Sequence, residues 1–121
     1  MLNLPPSLSV YVCSQVADMR RSFDGLIAMI QQYMDEVDVY GHHLFVFRNR
    51  NGDRLKLLYW EGDGFVIWYK RLEEGVFQLP TSCDDYVQIS AAQMAMLLEG
   101  IDIRNVARRR RFDRKTSKSC G

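Results

Sequence analysis

The sequence predicts an α+β protein with an antiparallel sheet, and two observations support this prediction. Three apolar, β-favouring runs follow one another over residues 44–72 and are separated by glycine-containing turns. Segments with helical periodicity flank these runs, over residues 22–37 and 90–100. Because strands joined by short turns pair in antiparallel fashion, we expect a sheet centred on a three-stranded meander, packed with two main helices.

The chain is predicted to begin with a strand and a helix. Residues 8–12 alternate between apolar and more polar side chains, which is the period-2 pattern of a strand. Ser22 is placed to cap the helix, and Asp24 is favourable in its first turn. The apolar positions that recur at three- and four-residue intervals are Phe23, Leu26, Ile27, Ile30, Tyr33, Met34 and Val37.

The register of the meander decides which side chains share a face, because a slip of one residue moves every side chain to the opposite face. A two-residue turn at Asn51-Gly52 would place Phe47 opposite Lys56 and mix polar with apolar side chains on both faces. Three-residue loops that end at Gly52 and Gly64 avoid this mixing, and both glycines then take the left-handed position. The predicted pairs are Phe47–Leu55, Phe45–Leu57, Arg48–Arg54, Tyr59–Ile67, Leu57–Tyr69, Leu58–Trp68 and Lys56–Lys70.

This register divides the meander into a core face and a binding face. The predicted core face collects Phe45, Phe47, Leu55, Leu57, Tyr59, Phe65, Ile67 and Tyr69. The predicted binding face has Arg48, Arg54, Lys56 and Lys70 at one end and Leu58, Trp60, Val66 and Trp68 at the other. Like charges opposed across a sheet are destabilising, so either acidic side chains of the protein or DNA phosphates should neutralise the basic end. Another element or a protein partner should cover the end that contains the two tryptophans.

A weaker strand and a second helix complete the predicted fold. Residues 86–89 favour a strand, and residues 90–93 have the sequence of a capping box. The helix that follows places Met94 and Leu97 inside, and Gly100 ends it.

Charge is distributed unevenly along the chain. Residues 104–121 contain eight basic residues and one acidic residue (net charge +7), whereas residues 1–103 contain eight basic and fourteen acidic residues (net charge −6). The densest basic run is Arg108, Arg109, Arg110 and Arg111. We therefore expect one domain over residues 1–103 and a partly disordered basic tail over residues 104–121. Such asymmetry indicates a polyanion such as DNA as partner, or docking of the tail on its own acidic domain.

Several classes of protein are disfavoured. No apolar run approaches the roughly 18 residues of a membrane span, and the start has no signal-peptide pattern, so we expect a cytoplasmic protein without a membrane partner. The widely spaced cysteines and the adjacent His42 and His43 predict no metal site. The sequence has no phosphate-binding loop, nucleophile elbow or convergent carboxylates, so we expect neither catalytic residues nor a cofactor.

Three motifs in one order resemble a known family. The longest, HLFVFRNRNGDRLKLLYWEGDGF over residues 43–65, continues into WYKRLE over residues 68–73. DMRRSFDGL precedes it at residues 18–26, and LLEGID follows it at residues 97–102. Together these motifs resemble the second-open-reading-frame protein of insertion sequence 66 elements, often labelled TnpB. The resemblance ends after Asp102, where the arginine-rich tail begins.

The resemblance implies an accessory protein of a bacterial transposable element, which assists transposition beside a separate transposase. In that setting, the basic residues of the meander and the tail favour DNA binding. The alternative is a protein-interaction module that bridges the transposase without contacting DNA, with Trp60 and Trp68 as its anchors. Neither hypothesis specifies an oligomeric state.

Overall fold

The computed structural model describes residues 4–80 and 82–100 of the chain. The elements are β1 (Ser9–Cys13), α1 (Phe23–Tyr33), β2 (His43–Arg48), β3 (Arg54–Trp60), β4 (Phe65–Arg71), β5 (Tyr86–Ser90) and α2 (Ala91–Leu98). This content confirms the α+β class with two main helices. The predicted basic tail, with its four consecutive arginines, lies outside the described residues.

The five strands form one mixed sheet in the order β4-β3-β2-β1-β5. The predicted meander is present, because β3 pairs antiparallel with both β2 and β4. The prediction of an antiparallel sheet is wrong at one position, since β1 and β2 are parallel neighbours. Helix α1 connects these two strands, and a helical crossover of this kind lets the second strand run in the direction of the first.

The register of both hairpins differs by one residue from the prediction. Phe45 pairs with Leu58, and Leu58 in turn pairs with Ile67. Four-residue loops, at residues 50–53 and 61–64, replace the predicted three-residue loops. Gly52 has the expected positive φ of 77°. In the second loop Gly62, with φ 96°, takes the left-handed position that was predicted for Gly64.

The side chain of Asn49 explains the register of the first hairpin. Its Nδ2 donates to Oδ1 of Asp53 at 2.7 Å, and its Oδ1 accepts a hydrogen bond from the backbone N–H of Arg54 at 3.0 Å. The backbone N–H of Asn49 also donates to the carbonyl oxygen of Arg54 at 3.3 Å. These bonds close the loop between residues 49 and 54, which favours the longer turn over the predicted one.

Both faces of the sheet are buried. A register that places polar and apolar side chains on the same face is therefore not excluded, as it would be if one face were open to solvent. On the face that we call the α1 face, Phe45, Phe47 and Leu58 pack with Leu26 and Ile30 of α1. On the opposite face, the α2 face, the core contains Val10, Val12, Leu44, Val46, Leu55, Leu57, Phe77, Leu79, Ile89, Met94 and Leu97. Strands β2 and β3 are consequently buried over four consecutive residues each, as expected for strands covered on both sides.

Helix α1 crosses its face from β3 towards β5. Next to its start, the Lys56 side chain donates to the carbonyl oxygens of Met19 and Arg21. Beyond its end, the Tyr86 hydroxyl donates to the carboxylate of Glu36. The helix ends at Tyr33, earlier than its apolar pattern predicts.

The two helix starts differ in how they are capped. Ser22 precedes α1 as predicted, but its side chain accepts no capping hydrogen bond. Ser90 and Gln93 form the complete capping box predicted for α2. The last turn of α2 is followed by Gly100, which has φ 92°.

Candidate nucleic-acid interface

The four basic residues predicted to share a binding face do not share one. Arg54 and Lys56 lie on the α1 face. Arg48 and Lys70, which both pair with Leu55, lie on the α2 face. The prediction of a single basic face is therefore wrong, because it depended on the register that the four-residue loops shift.

Lys56 is the most deeply placed member of that set. It retains only 8% of its accessible surface, and its Nζ donates to the carbonyl oxygens of Met19 and Arg21 at 2.7 Å each. The ammonium group also lies 4.8 Å from the centroid of the Tyr69 ring. Lys56 thus fixes the segment before α1 to the sheet, and its ammonium group faces protein atoms instead of solvent.

One end of the sheet nevertheless collects the positive charge. We call it the arginine end: β2 and β4 finish there, β3 begins there, and residues 14–22 lie beside it. All eight basic residues within the described ranges belong to it: Arg20, Arg21, Arg48, Arg50, Arg54, Lys56, Lys70 and Arg71. Sequence reasoning missed Arg20, Arg21, Arg50 and Arg71. The position of Arg50 and Arg71 beside predicted strand ends was an available signal for these two residues.

Arg54 occupies the centre of the arginine end. It pairs with Arg71 across β3 and β4, and its Nη1 donates to the Tyr69 hydroxyl at 3.3 Å. It lines a depression of about 740 Å³ between residues 14–19 and 49–51, and a second one of about 320 Å³ beside Tyr69 and Arg71. Arg54 lines both depressions, which gives this end a concave surface with a basic residue shared by its two parts.

Acidic side chains neutralise only part of this charge. Arg20 pairs with Asp18 at 2.7 Å, and its hydrogen bonds lower the pKa of the Asp18 carboxyl to about 2. Arg71 pairs with Glu73 at 3.2 Å. Arg50 and Lys70 are exposed and form no ion pair with any residue in the described ranges.

Two other arginines bond to backbone oxygens. Arg48 donates to the carbonyl oxygen of Ser14 at 3.3 Å, and Arg21 donates to that of Gly25 at 3.2 Å. The first bond joins β2 to the segment after β1, and the second joins residues one helical turn apart; neither acceptor carries a negative charge. The first turn of α1 lies at the arginine end and adds the positive pole of its dipole.

The two tryptophans also lie on different faces. Trp60 pairs with Phe65 and lies on the α1 face, whereas Trp68 pairs with Leu57 and packs against the core of the α2 face. The predicted patch with both tryptophans is therefore wrong. Trp60 instead belongs to an aromatic group at the sheet end opposite the arginine end, where its ring centroid lies 5.0 Å from that of Tyr40 and 4.9 Å from that of Phe65.

Metal-ligating side chains are dispersed over the described part of the chain. It contains no group of three or more His, Cys, Asp or Glu side chains that could hold a metal ion. Among the same residues, no helix has the length and apolarity required to cross a bilayer.

Comparison with known proteins gives a consistent result. The family model of IS66 Orf2-like proteins matches residues 8–108, so the match extends past Asp102 and includes Arg108. The uncharacterized protein y4jC of Sinorhizobium fredii is 33% identical over 109 residues, which cover 90% of this chain and 92% of that protein. The uncharacterized protein y4hO of the same organism is 34% identical over 105 residues, covering 87% and 90% respectively. No solved structure matches the chain.

Proposed function

Because the chain belongs to the family of IS66 Orf2-like proteins, which have an accessory role in transposition, we propose that it assists by binding DNA with its arginine end. The observation that carries this proposal is the presence of all eight described basic residues at one end of the sheet. The proposed role is binding without catalysis, beside the transposase of the same element.

The chemistry of the arginine end suits a phosphate backbone. Guanidinium groups donate bidentate hydrogen bonds to phosphate oxygens, and each neutralised phosphate releases counterions from the duplex. Arg50, Arg54, Lys70 and Arg71 lie at strand ends or in the first turn, where side chains from both faces reach the rim of the sheet. Lys56 is not included, because its ammonium group is already bonded to two backbone carbonyls. The tail residues Arg108, Arg109, Arg110 and Arg111 would add contacts of the same kind.

The test is the salt dependence of DNA affinity. Fluorescence anisotropy with a labelled duplex should show log affinity falling linearly with log salt for the full-length protein. In the double variant Arg50→Gln/Lys70→Gln, the slope should decrease in magnitude by about two, or about one for each lost phosphate contact. Replacement of Arg108, Arg109, Arg110 and Arg111 by Gln should also reduce the magnitude of the slope, independently of the double variant.

The matched control changes two charges at the far edge of the sheet. Asp35→Asn/Asp84→Asn alters the net charge by the same magnitude with the opposite sign. It should leave the slope unchanged, because both residues line a depression beside β5, which is the edge strand farthest from β4. An equal slope in the wild type and in Arg50→Gln/Lys70→Gln would show that the arginine end does not contact phosphates. No binding at low salt would refute DNA binding altogether.

The exposed aromatic group favours the second candidate, a module that binds the transposase without contacting DNA. Tyr40 remains 59% exposed beside Trp60 and Phe65, and aromatic side chains are enriched among the residues that dominate interface energies. This role predicts co-purification with the transposase at high salt, which Trp60→Ala abolishes while DNA affinity is unchanged. Trp68→Ala is unsuited to this test, since Trp68 packs against the core and its truncation tests stability.

A further inference from the structure

A pocket at the end opposite the arginine end has no role in the proposed contact with DNA. It has a volume of about 670 Å³, which is in the usual range for ligand pockets. Its walls combine the rings of Tyr40, Tyr59 and Trp60 with the apolar side chains of Leu8 and Leu44. The exposed Tyr40 ring stands edge-on to Trp60, so an aromatic surface continues from the pocket to the solvent.

His43 adds a further aromatic ring to this pocket. Burial lowers the pKa of its imidazole, whose ring packs against Tyr11 and Phe45 with centroids at 5.2 and 6.0 Å. Gly41 allows this position, because a Cβ there would come within 2.5 Å of the His43 ring. The imidazole therefore contributes aromatic surface, and its lowered pKa disfavours the positively charged form.

The charge around the pocket is negative. Glu61 lines it, Asp63 lies in the same β3–β4 loop, and Asp38 accepts a hydrogen bond from the backbone N–H of Tyr40. No lysine or arginine of the described ranges lies at this end. A phosphate-bearing ligand would be repelled, whereas an aromatic or apolar group flanked by basic residues would be attracted.

We propose that the segment formed by residues 108–114 of the same chain docks in this pocket. It contains one aromatic residue, Phe112, five arginines and Asp113, so the apolar anchor belongs to a segment of net charge +4, opposite in sign to the pocket rim. Phe112 lies twelve positions beyond Gly100, a length of chain that can span about 40 Å, which exceeds the width of a domain of this size. Attachment to the same chain raises the effective concentration of the segment to the millimolar range.

Docking of residues 108–114 also affects DNA binding, an effect that rests on the proposed function. While Phe112 occupies the pocket, the neighbouring arginines lie at the acidic end and are withheld from phosphates. DNA and the pocket then compete for the same arginines. The docking itself does not require that the arginine end bind DNA, so it can be tested in the absence of DNA.

Limited trypsin digestion of the full-length protein without DNA is the test. Cleavage at residues 108–111 should be about fivefold or more faster in Tyr40→Ala than in the wild type, because truncation of an aromatic anchor releases the segment. Phe112→Ala should have the same effect, and Glu61→Gln should also increase the rate, because it removes a charge of the pocket rim without adding a trypsin site. The matched control is Phe23→Ala, which removes an aromatic ring that is 42% exposed on α1, and it should leave the rate unchanged.

The dependence on protein concentration identifies the occupant. Protection that stays constant over a hundredfold dilution supports docking within one chain. Protection that disappears on dilution would mean that the segment binds a second copy, which overturns the proposal. Equal cleavage rates in the wild type, Tyr40→Ala and Glu61→Gln would also overturn it.

Discussion

At the scale of single residues, Lys56 stabilises the fold, although the sequence pattern predicts that it contacts DNA. Lys56→Met keeps the apolar stem but leaves the carbonyl oxygens of Met19 and Arg21 without their charged donor. The free energy of unfolding should fall by about 2 kcal/mol, the usual value for hydrogen bonds to a charged group. Urea denaturation measures this change. An equal slope of the unfolding free energy against urea in the wild type and the variant shows that only stability differs.

Lys70→Met is the matched control for this prediction. Lys70 is exposed and pairs with Leu55 across the same two strands, so its loss should change stability by less than about 0.5 kcal/mol. Its DNA affinity should depend less steeply on salt, whereas that of Lys56→Met should keep the wild-type slope. Equal stability of the two variants would mean that the bonds of Lys56 contribute nothing to the fold.

At the scale of elements, the β3–β4 loop distinguishes the observed register from the predicted one. Gly62 has φ 96°, whereas Gly64 has no positive φ, and a Cβ added to Gly64 would meet no atom within 4 Å. Gly62→Ala should therefore lower the free energy of unfolding by about 1 kcal/mol, because an L-residue is strained at positive φ. Gly64→Ala should be neutral or slightly stabilising, since it only restricts the unfolded chain.

Thermal unfolding of both variants measures the difference. In the predicted register Gly64 is the strained position, so the two variants would exchange their effects. A lower midpoint for Gly64→Ala than for Gly62→Ala would therefore contradict the observed loop. Each variant is the control for the other, because both changes add one methyl group to the same loop.

The elements also show what local sequence patterns could predict. The strands, both helices, the capping box of Ser90 and Gln93 and the turn at Gly52 were predictable, because each depends on residues that are near one another in sequence. The register was not, because polarity selects a register only when one face of the meander is open to solvent. With cores on both faces, that selection is lost, and the Asn49 side chain fixes the register locally.

At the scale of the whole molecule, basic residues that are dispersed along the described part of the chain lie together in the fold. The arginine end contains every described basic residue, whereas Asp38, Glu61 and Asp63 lie at the opposite end, around the pocket. Sequence reasoning found the charged tail but missed this separation, because the placement of Arg20 and Arg21 depends on where α1 crosses the sheet. Long-range packing decides where Arg20 and Arg21 lie, and no local sequence pattern encodes that position.

This separation predicts that the two ends of the molecule compete through the tail. Tyr40→Ala should increase DNA affinity and steepen its dependence on salt, because the released arginines become available to phosphates. The same substitution should have no effect in a chain whose Arg108, Arg109, Arg110 and Arg111 are all replaced by Gln. Combined with Arg50→Gln/Lys70→Gln, its effect should add to that of the double variant, since the two ends share no contacts. Anisotropy titrations of these variants form a double-mutant cycle, and an unchanged affinity in Tyr40→Ala would show that the pocket does not withhold the tail from DNA.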